Sequence, residues 1–207
     1  MSGTVRTAIL GASGFGGAEL LRLCAGHPDL DVVAASGDAQ AGALVADAYP
    51  SLAAAYPDLR YVPTAMGAAV DAGAELVFCA LPHGASQTVV PHLRDHAKVI
   101  VDLAADFRLK DASLYPEWYG EAHSCPELIK EAVFGIPELF RDQLVGAGLV
   151  AAAGCYVTAA SLALAPLVRA GVVEPTGVVV DAASGVSGAG KGPVSYTHLT
   201  LPTNREV

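Results

Sequence analysis

The sequence predicts an α/β fold built on a doubly wound parallel sheet, and three observations carry that expectation. Short apolar runs alternate with stretches of helical period, which favours parallel strands joined by right-handed crossovers. The stretch "ILGASGFGGAEL" at 9–20 puts glycines where the first strand hands over to the first helix. Of 207 residues 53% are hydrophobic and 16% charged, enough for one sizeable core or for one domain plus part of another.

The elements follow in order. "VRTAIL" (5–10) reads as a buried strand and "AELLRLCAGHP" (18–28) as an amphipathic helix, closed by Gly26 and Pro28. "LDVVAAS" (30–36) is the second strand; 37–74 shows no clear period beyond a helix at 66–73. "AELVFCALP" (74–82) is the third strand, and "ASQTVVPHLRDH" (85–96) a helix in which Pro91 predicts a kink or a late start. "AKVIVDLAA" (97–105) is the fourth strand, and 106–147 is looser and more polar. "GLVAAAG" (148–154) is a buried strand, "YVTAASLALAPLVRAG" (156–171) a helix, and "TGVVVDAAS" (176–184) a further strand. The uncharged run from Val145 to Val168 is long enough to span a bilayer, but Gly154, Pro166 and its small residues favour strand, turn and buried helix. Residues 194–207 continue no earlier pattern.

A net charge of −9 argues against nucleic acid and against an anionic membrane surface as partners. Cys24, Cys79, Cys125 and Cys155 are widely spaced, which proposes neither a metal site nor a disulfide framework. No apolar leader follows "MSGTVRT", so a reducing, cytoplasmic setting is expected.

Gly11, Gly14 and Gly17 form G-x-x-G-x-x-G, a spacing variant of the dinucleotide fingerprint, between strand and helix. One glycine permits the tight turn, one lets a pyrophosphate approach the backbone, and one seats the helix on the strand. The helix start offers free N–H groups to phosphate, and Ser13 adds a hydroxyl. This gives the sheet a Rossmann-type reading. The second strand ends in Ser36-Gly37-Asp38; an acid there suits the ribose diol of NAD, so local chemistry leaves NAD against NADP open.

Cys155, in "AAAGCYVTAAS", stands where a buried strand becomes a helix. A helix N-terminus favours an anion, hence a thiolate, and offers N–H donors to an oxyanion. Position alone leaves two readings open, a nucleophile or a small core hydrophobe. Cys24 and Cys79 fit the core reading, and Cys125 is a loop thiol. His83 is expected to shape a ligand cleft; His27, His92, His96 and His123 are expected to be solvated.

Several motifs stand in one order: "GASGFGGAELLRL", "ALPHGAS", "VDLAADFRL", "FGIPEL", "GCYVTAASLALAPL" and "SGVSGAG". Together they resemble the N-acetyl-gamma-glutamyl-phosphate reductase family of the aspartate-semialdehyde dehydrogenase-like superfamily, over residues 5 to 192. The resemblance implies a Rossmann domain over 1–150 and the beginning of an α+β catalytic and dimerisation domain over 151–193. It implies NADPH-dependent reduction of an acyl phosphate, N-acetyl-L-glutamyl 5-phosphate, to the semialdehyde, in arginine biosynthesis and in a homo-oligomer. Cys155 is then the nucleophile that forms a thioester. The turn of Gly11, Ala12, Ser13, Gly14, Phe15 and Gly16 holds NADP, with Ser36, and Pro82, His83 and Gly84 border the same cleft. Arg108 matches an anion-binding arginine beside the substrate, against a plain reading as an ion pair with Asp102 or Asp106. Ser184, Gly185, Ser187 and Gly188 belong to a loop that closes over cofactor and substrate.

The chain departs from the family pattern at Ala153 and Val157, where prolines are usual, and it is shorter. The family's general-base histidine belongs to a motif this sequence lacks; His198 is not in it. Residues 194–207 read as foreign to the fold, and weak or absent turnover is expected of this chain. Two alternatives stand beside this reading: an aspartate-semialdehyde dehydrogenase-like enzyme, and a noncatalytic NAD(P)-binding Rossmann module.

Overall fold

The computed structural model describes residues 3–64 and 67–191. Seven strands form one sheet in the order β3-β2-β1-β4-β5-β7-β6, and every pairing is parallel. They are β1 (Val5–Leu10), β2 (Leu30–Ser36), β3 (Tyr61–Val62), β4 (Leu76–Cys79), β5 (Val99–Asp102), β6 (Val133–Gly135) and β7 (Leu149–Ala152). The order reverses direction at β1 and β4, and such a switch point opens a crevice beyond the carboxyl ends of the strands.

The helices are α1 (Phe15–Ala25), α2 (Val45–Ala48), α3 (Gly67–Asp71), α4 (Ser86–Leu93), α5 (Tyr115–Tyr119), α6 (Pro126–Glu131), α7 (Pro137–Leu144) and α8 (Cys155–Arg169). Because strand side chains alternate, β1 sends Ala8 and Leu10 into one core and Ile9 into another. The first core takes Ala69 of α3, Val89, Val90 and Leu93 of α4, and Tyr115 and Ile129 of α5 and α6. The second is smaller: Leu21 and Cys24 of α1 close it with Ala35, Val45, Leu52 and Tyr61. Toward β7 that second face is only partly covered, with Val101, Val150 and Ala152 half-buried.

The sheet and its winding agree with the sequence reading; several boundaries do not. Helix α1 starts at Phe15, not at 18, and so takes Gly16 and Gly17 into its first turn. The strands expected at 74–82 and 97–105 shrink to four residues each, since only the stretch facing a neighbouring strand makes ladder bonds. The looser segment 106–147 contains α5, α6 and α7 and the edge strand β6. Pro91 lies inside α4, which ends two residues later. The strand expected at 176–184 is not formed: no described strand lies beside it, and its valines are exposed, Val179 at 90%. No helix among the described residues is long and apolar enough to cross a membrane. Residues 192–207, including His198, lie outside the described residues.

Candidate active site

The turn between β1 and α1 is built by glycines with different duties. Gly11 has φ +76°, and a Cβ on it would overlap the Ala80 carbonyl oxygen that follows β4, so only glycine fits. A Cβ on Gly17 would overlap the Gly11 carbonyl, which is how the helix comes to sit on the turn. Gly14 differs: its φ of −81° is ordinary, and the nearest atom to a Cβ would be 3.5 Å away. Its open side leaves room for a ligand to approach the backbone.

Strand β2 holds this turn in place. Gly11 N–H donates to Ser36 Oγ at 3.0 Å, Ala12 N–H to the Ser36 carbonyl at 2.7 Å, and Ser36 Oγ pairs with Thr64 Oγ1 at 3.0 Å. Ser36 and Ala12 are wholly buried. Ser36 thus braces the turn from beneath, and Ala12 packs in the core. Ser13 packs against Gly37, where a Cβ would come within 2.7 Å of Ser13 Cβ, and its carbonyl accepts the Tyr49 hydroxyl at 2.8 Å. No side chain caps α1, so its first N–H groups face outward.

Those groups open on a cleft of about 400 Å³. Gly11, Ser13, Gly14, Phe15 and Gly16 form one wall and Ala80, Leu81 and Pro82 a second. Ser187, Gly188, Gly190 and Lys191 form a third, so the structure brings part of the 184–190 loop to the turn. Ser184 and Gly185 do not line the cleft; the Ser184 hydroxyl donates to the Gly185 carbonyl. Sequence reasoning passed over Tyr49, Thr64 and Lys191; only the lysine had a local signal, following directly on "SGVSGAG".

His83 and Gly84 turn the other way, into a second cavity of about 160 Å³ shared with Gln87, Asp106 and Tyr119. His83 Nδ1 accepts the Ala105 N–H at 3.4 Å and lies 3.6 Å from Asp106 Oδ1, with the ring edge-on to Tyr119. Asp106 is buried and accepts the N–H groups of Gly84 (2.8 Å) and Ser86 (3.0 Å), capping the start of α4. Asp102, also buried, accepts the Ser86 hydroxyl at 2.6 Å and Ala104 N–H at 3.2 Å through Oδ1, while Oδ2 has no hydrogen-bond partner among the described residues. Burial pushes the Asp102 carboxyl up to about 6.

Cys155 is the first residue of α8, after Gly154, whose carbonyl accepts both the N–H and the hydroxyl of Thr158 at 2.9 Å. It is the exposed thiol; Cys24, Cys79 and Cys125 are buried. Burial raises all three of those thiols, Cys125 to about 11. Cys125 is a loop thiol, just ahead of α6, and it is buried in the core. His123 is likewise buried rather than solvated, with Nε2 2.6 Å from the Asp106 carbonyl and Nδ1 accepting Cys125 N–H. Cys155 does not line the 400 Å³ cleft. It stands at the carboxyl end of β7, on the same sheet edge as the turn and two strand spacings, roughly 10 Å, from β4.

Arg108 stands beside the turn that precedes Cys155. Its Nε donates to the Ala152 carbonyl at 2.8 Å and one terminal nitrogen to the Leu103 carbonyl at 2.7 Å. The other lies against Gly154, 3.1 Å from where a Cβ would stand. The alternative of an ion pair with Asp102 or Asp106 is not formed among the described residues. Arg108 instead laces the loop after β5 to the last carbonyl of β7, just ahead of the exposed thiol.

Comparison with known proteins gives three findings. The family description "Semialdehyde dehydrogenase, NAD binding domain" matches residues 6–147, and "Semialdehyde dehydrogenase, dimerisation domain" matches 155–205. The second span runs into the stretch the sequence reading set apart at 194. An N-acetyl-gamma-glutamyl-phosphate reductase of Symbiobacterium thermophilum is 45% identical over 201 residues, and one of a Jannaschia species is 48% identical over 190. These alignments take in 95% and 91% of this chain but 56% and 54% of the relatives, so the chain spans about half the length of the curated relatives it matches. Among solved structures, aspartate semialdehyde dehydrogenase of Candida albicans, determined with NADP, has a similar fold. The TM-score is 0.58 at 17% identity, over 81% of this chain and 48% of that one.

Proposed function

The chain belongs to the semialdehyde dehydrogenase family, and from that premise we propose that it forms part of an N-acetyl-gamma-glutamyl-phosphate reductase. The reaction is the NADPH-dependent reduction of N-acetyl-L-glutamyl 5-phosphate to the semialdehyde and phosphate, a step of arginine biosynthesis. The observation that carries the reading is Cys155. One thiol of four is exposed, and it opens a helix at the carboxyl edge of the sheet, in a chain 45–48% identical to reductases of that name.

The chemistry follows from where the groups stand. Cys155 Sγ, as thiolate, attacks the acyl carbon; the S–C bond forms, the C–O bond to phosphate breaks, and phosphate leaves with the electron pair. The uncapped N–H groups at the start of α8 stabilise the oxyanion that precedes departure. Arg108, with two nitrogens fixed on backbone carbonyls, keeps its third beside Gly154 for the leaving phosphate or a substrate carboxylate.

The residues beside the β1–α1 turn fit a nicotinamide dinucleotide: a Gly11 backbone that admits no side chain, an open Gly14, and an uncapped helix start. Gly14, Phe15 and Gly16 would hold its pyrophosphate, and when bound the group supplies the hydride that reduces the acyl group and frees the thiol. NADP is the dinucleotide proposed. Asp38, the acid that would favour NAD, has one carboxylate oxygen taken by the Thr64 N–H at 2.6 Å. We assign the chain to a homo-oligomer, as the dimerisation-domain match suggests, and to a reducing, cytoplasmic setting in which Cys155 stays a free thiol.

The test needs only the first half of the reaction. Incubated with N-acetylglutamyl phosphate and no dinucleotide, the protein gains one acyl group, located by mass spectrometry at Cys155, with release of one phosphate. Cys155→Ser gains none. Acylation spread over the four thiols, or absent while the fold is intact, overturns the assignment.

A further inference from the structure

Lys191 belongs to the segment that faces the glycine turn, and among the described residues lining the 400 Å³ cleft it is the one charged side chain. Its Nζ lies 5.2 Å from the centroid of the Tyr49 ring. The Tyr49 hydroxyl in turn donates to the Ser13 carbonyl. The ammonium is thus stationed over an aromatic face that is itself pinned to the turn. Opposite, α1 begins with uncapped N–H groups.

A dinucleotide pyrophosphate brings two negative charges into a protein whose own net charge is −9. A helix start offers only about half a positive charge, so most of that charge needs a cation. We propose that Lys191 is a phosphate-binding residue that pairs with the pyrophosphate of the cofactor; this rests on the reading that the cleft takes a nicotinamide dinucleotide.

The pyrophosphate is the partner rather than the 2′-phosphate because of what the cleft contains. It takes in Gly11, Gly14, Gly16 and Pro82, but not Gly37 or Asp38, where β2 ends and the adenosine ribose belongs.

The test is titration of the 207-residue chain with NADPH and with NADH, followed by nicotinamide fluorescence. The variants are Lys191→Gln, Lys191→Arg and, as a charge control, Lys98→Gln, whose exposed pair with Glu75 is remote from the cleft. Lys191→Gln is expected to weaken both dinucleotides by the same factor, roughly tenfold, and to flatten the dependence of Kd on salt. Lys191→Arg restores most of the loss, and Lys98→Gln binds like the parent. Unchanged affinity in Lys191→Gln overturns the proposal, and so does a loss confined to NADPH, which would move the lysine to the 2′-phosphate. A parent chain that binds neither dinucleotide brings down the cofactor reading itself, and this inference with it. A parent that binds beside an unaffected Lys191→Gln brings down the lysine alone.

Discussion

Asp102 shows how one residue at the carboxyl edge of the sheet trades stability for position. Its carboxyl is wholly buried at the end of β5, one oxygen holding Ser86 and Ala104 and the other without a partner among the described residues. Burial raises it to about 6, above the value near 4 of an unfolded chain. Between those values the native state holds a proton that the unfolded state has lost, so the contribution of Asp102 to stability is most favourable below pH 4. It falls as pH rises toward 6 and is flat above. Two pH units correspond to about 3 kcal/mol at most. Asp102→Asn is expected to remove this fall: urea unfolding from pH 4 to 7 should give a parent-minus-variant difference that grows more negative up to pH 6 and then stays constant. A difference independent of pH would mean that Asp102 does not titrate in that window. Three other carboxylates, Glu19, Glu75 and Asp111, are lowered by hydrogen bonds to Arg22, Lys98 and Ser113, so they act in the opposite direction at lower pH.

Among the elements, the β1–α1 turn separates what glycine does for the fold from what it does for a ligand. Gly11→Ala meets both a positive φ and the Ala80 carbonyl, and is expected to cost about 3 kcal/mol or more, or to prevent folding. Gly14→Ala meets neither and should cost only about 1 kcal/mol, the difference between glycine and alanine as a helix N-cap. Its dinucleotide Kd should nonetheless rise, since the new methyl stands where the backbone is open. Thermal unfolding beside dinucleotide titration separates the two effects; a Gly14→Ala protein that binds normally would show that nothing approaches the backbone there. The turn was legible in the sequence because its cause is local: glycine spacing between a strand and a helix. The start of α8 at Cys155 was legible for the same reason. Other features depend on partners far along the chain. The edge strand β6 exists because Val133 to Gly135 find β7, and 176–184 lacks such a neighbour. Ser36 reads as a ligand contact until Gly11 and Thr64 claim its hydroxyl, and His123 reads as solvated until Phe107 and Tyr115 close over it.

The molecule as a whole covers the two faces of its sheet unequally, and that imbalance has a consequence in solution. One core runs from Ala8 to Leu149 under α3, α4, α5 and α6; the other is confined to the β1–β3 half. Helix α8 has no buried residue although it is apolar, with Tyr156, Val157 and Leu167 exposed by 43–49%. Beyond it Val172, Val178, Val179 and Val180 are exposed as well. Monomeric proteins seldom leave an apolar patch of more than a few hundred Å² open to water, and the dimerisation-domain match begins at the first residue of α8. Self-association through this surface is therefore expected: the sedimentation coefficient should rise with protein concentration. Because the contact is apolar, added NaCl should not reverse it, as screening reverses only charge-driven association. Val172→Asp combined with Val179→Asp, at positions that make no core contact, should move the equilibrium toward monomer without lowering the unfolding temperature. A chain that sediments as a monomer at every concentration would show that these valines stay in water, and the surface would then need no partner at all.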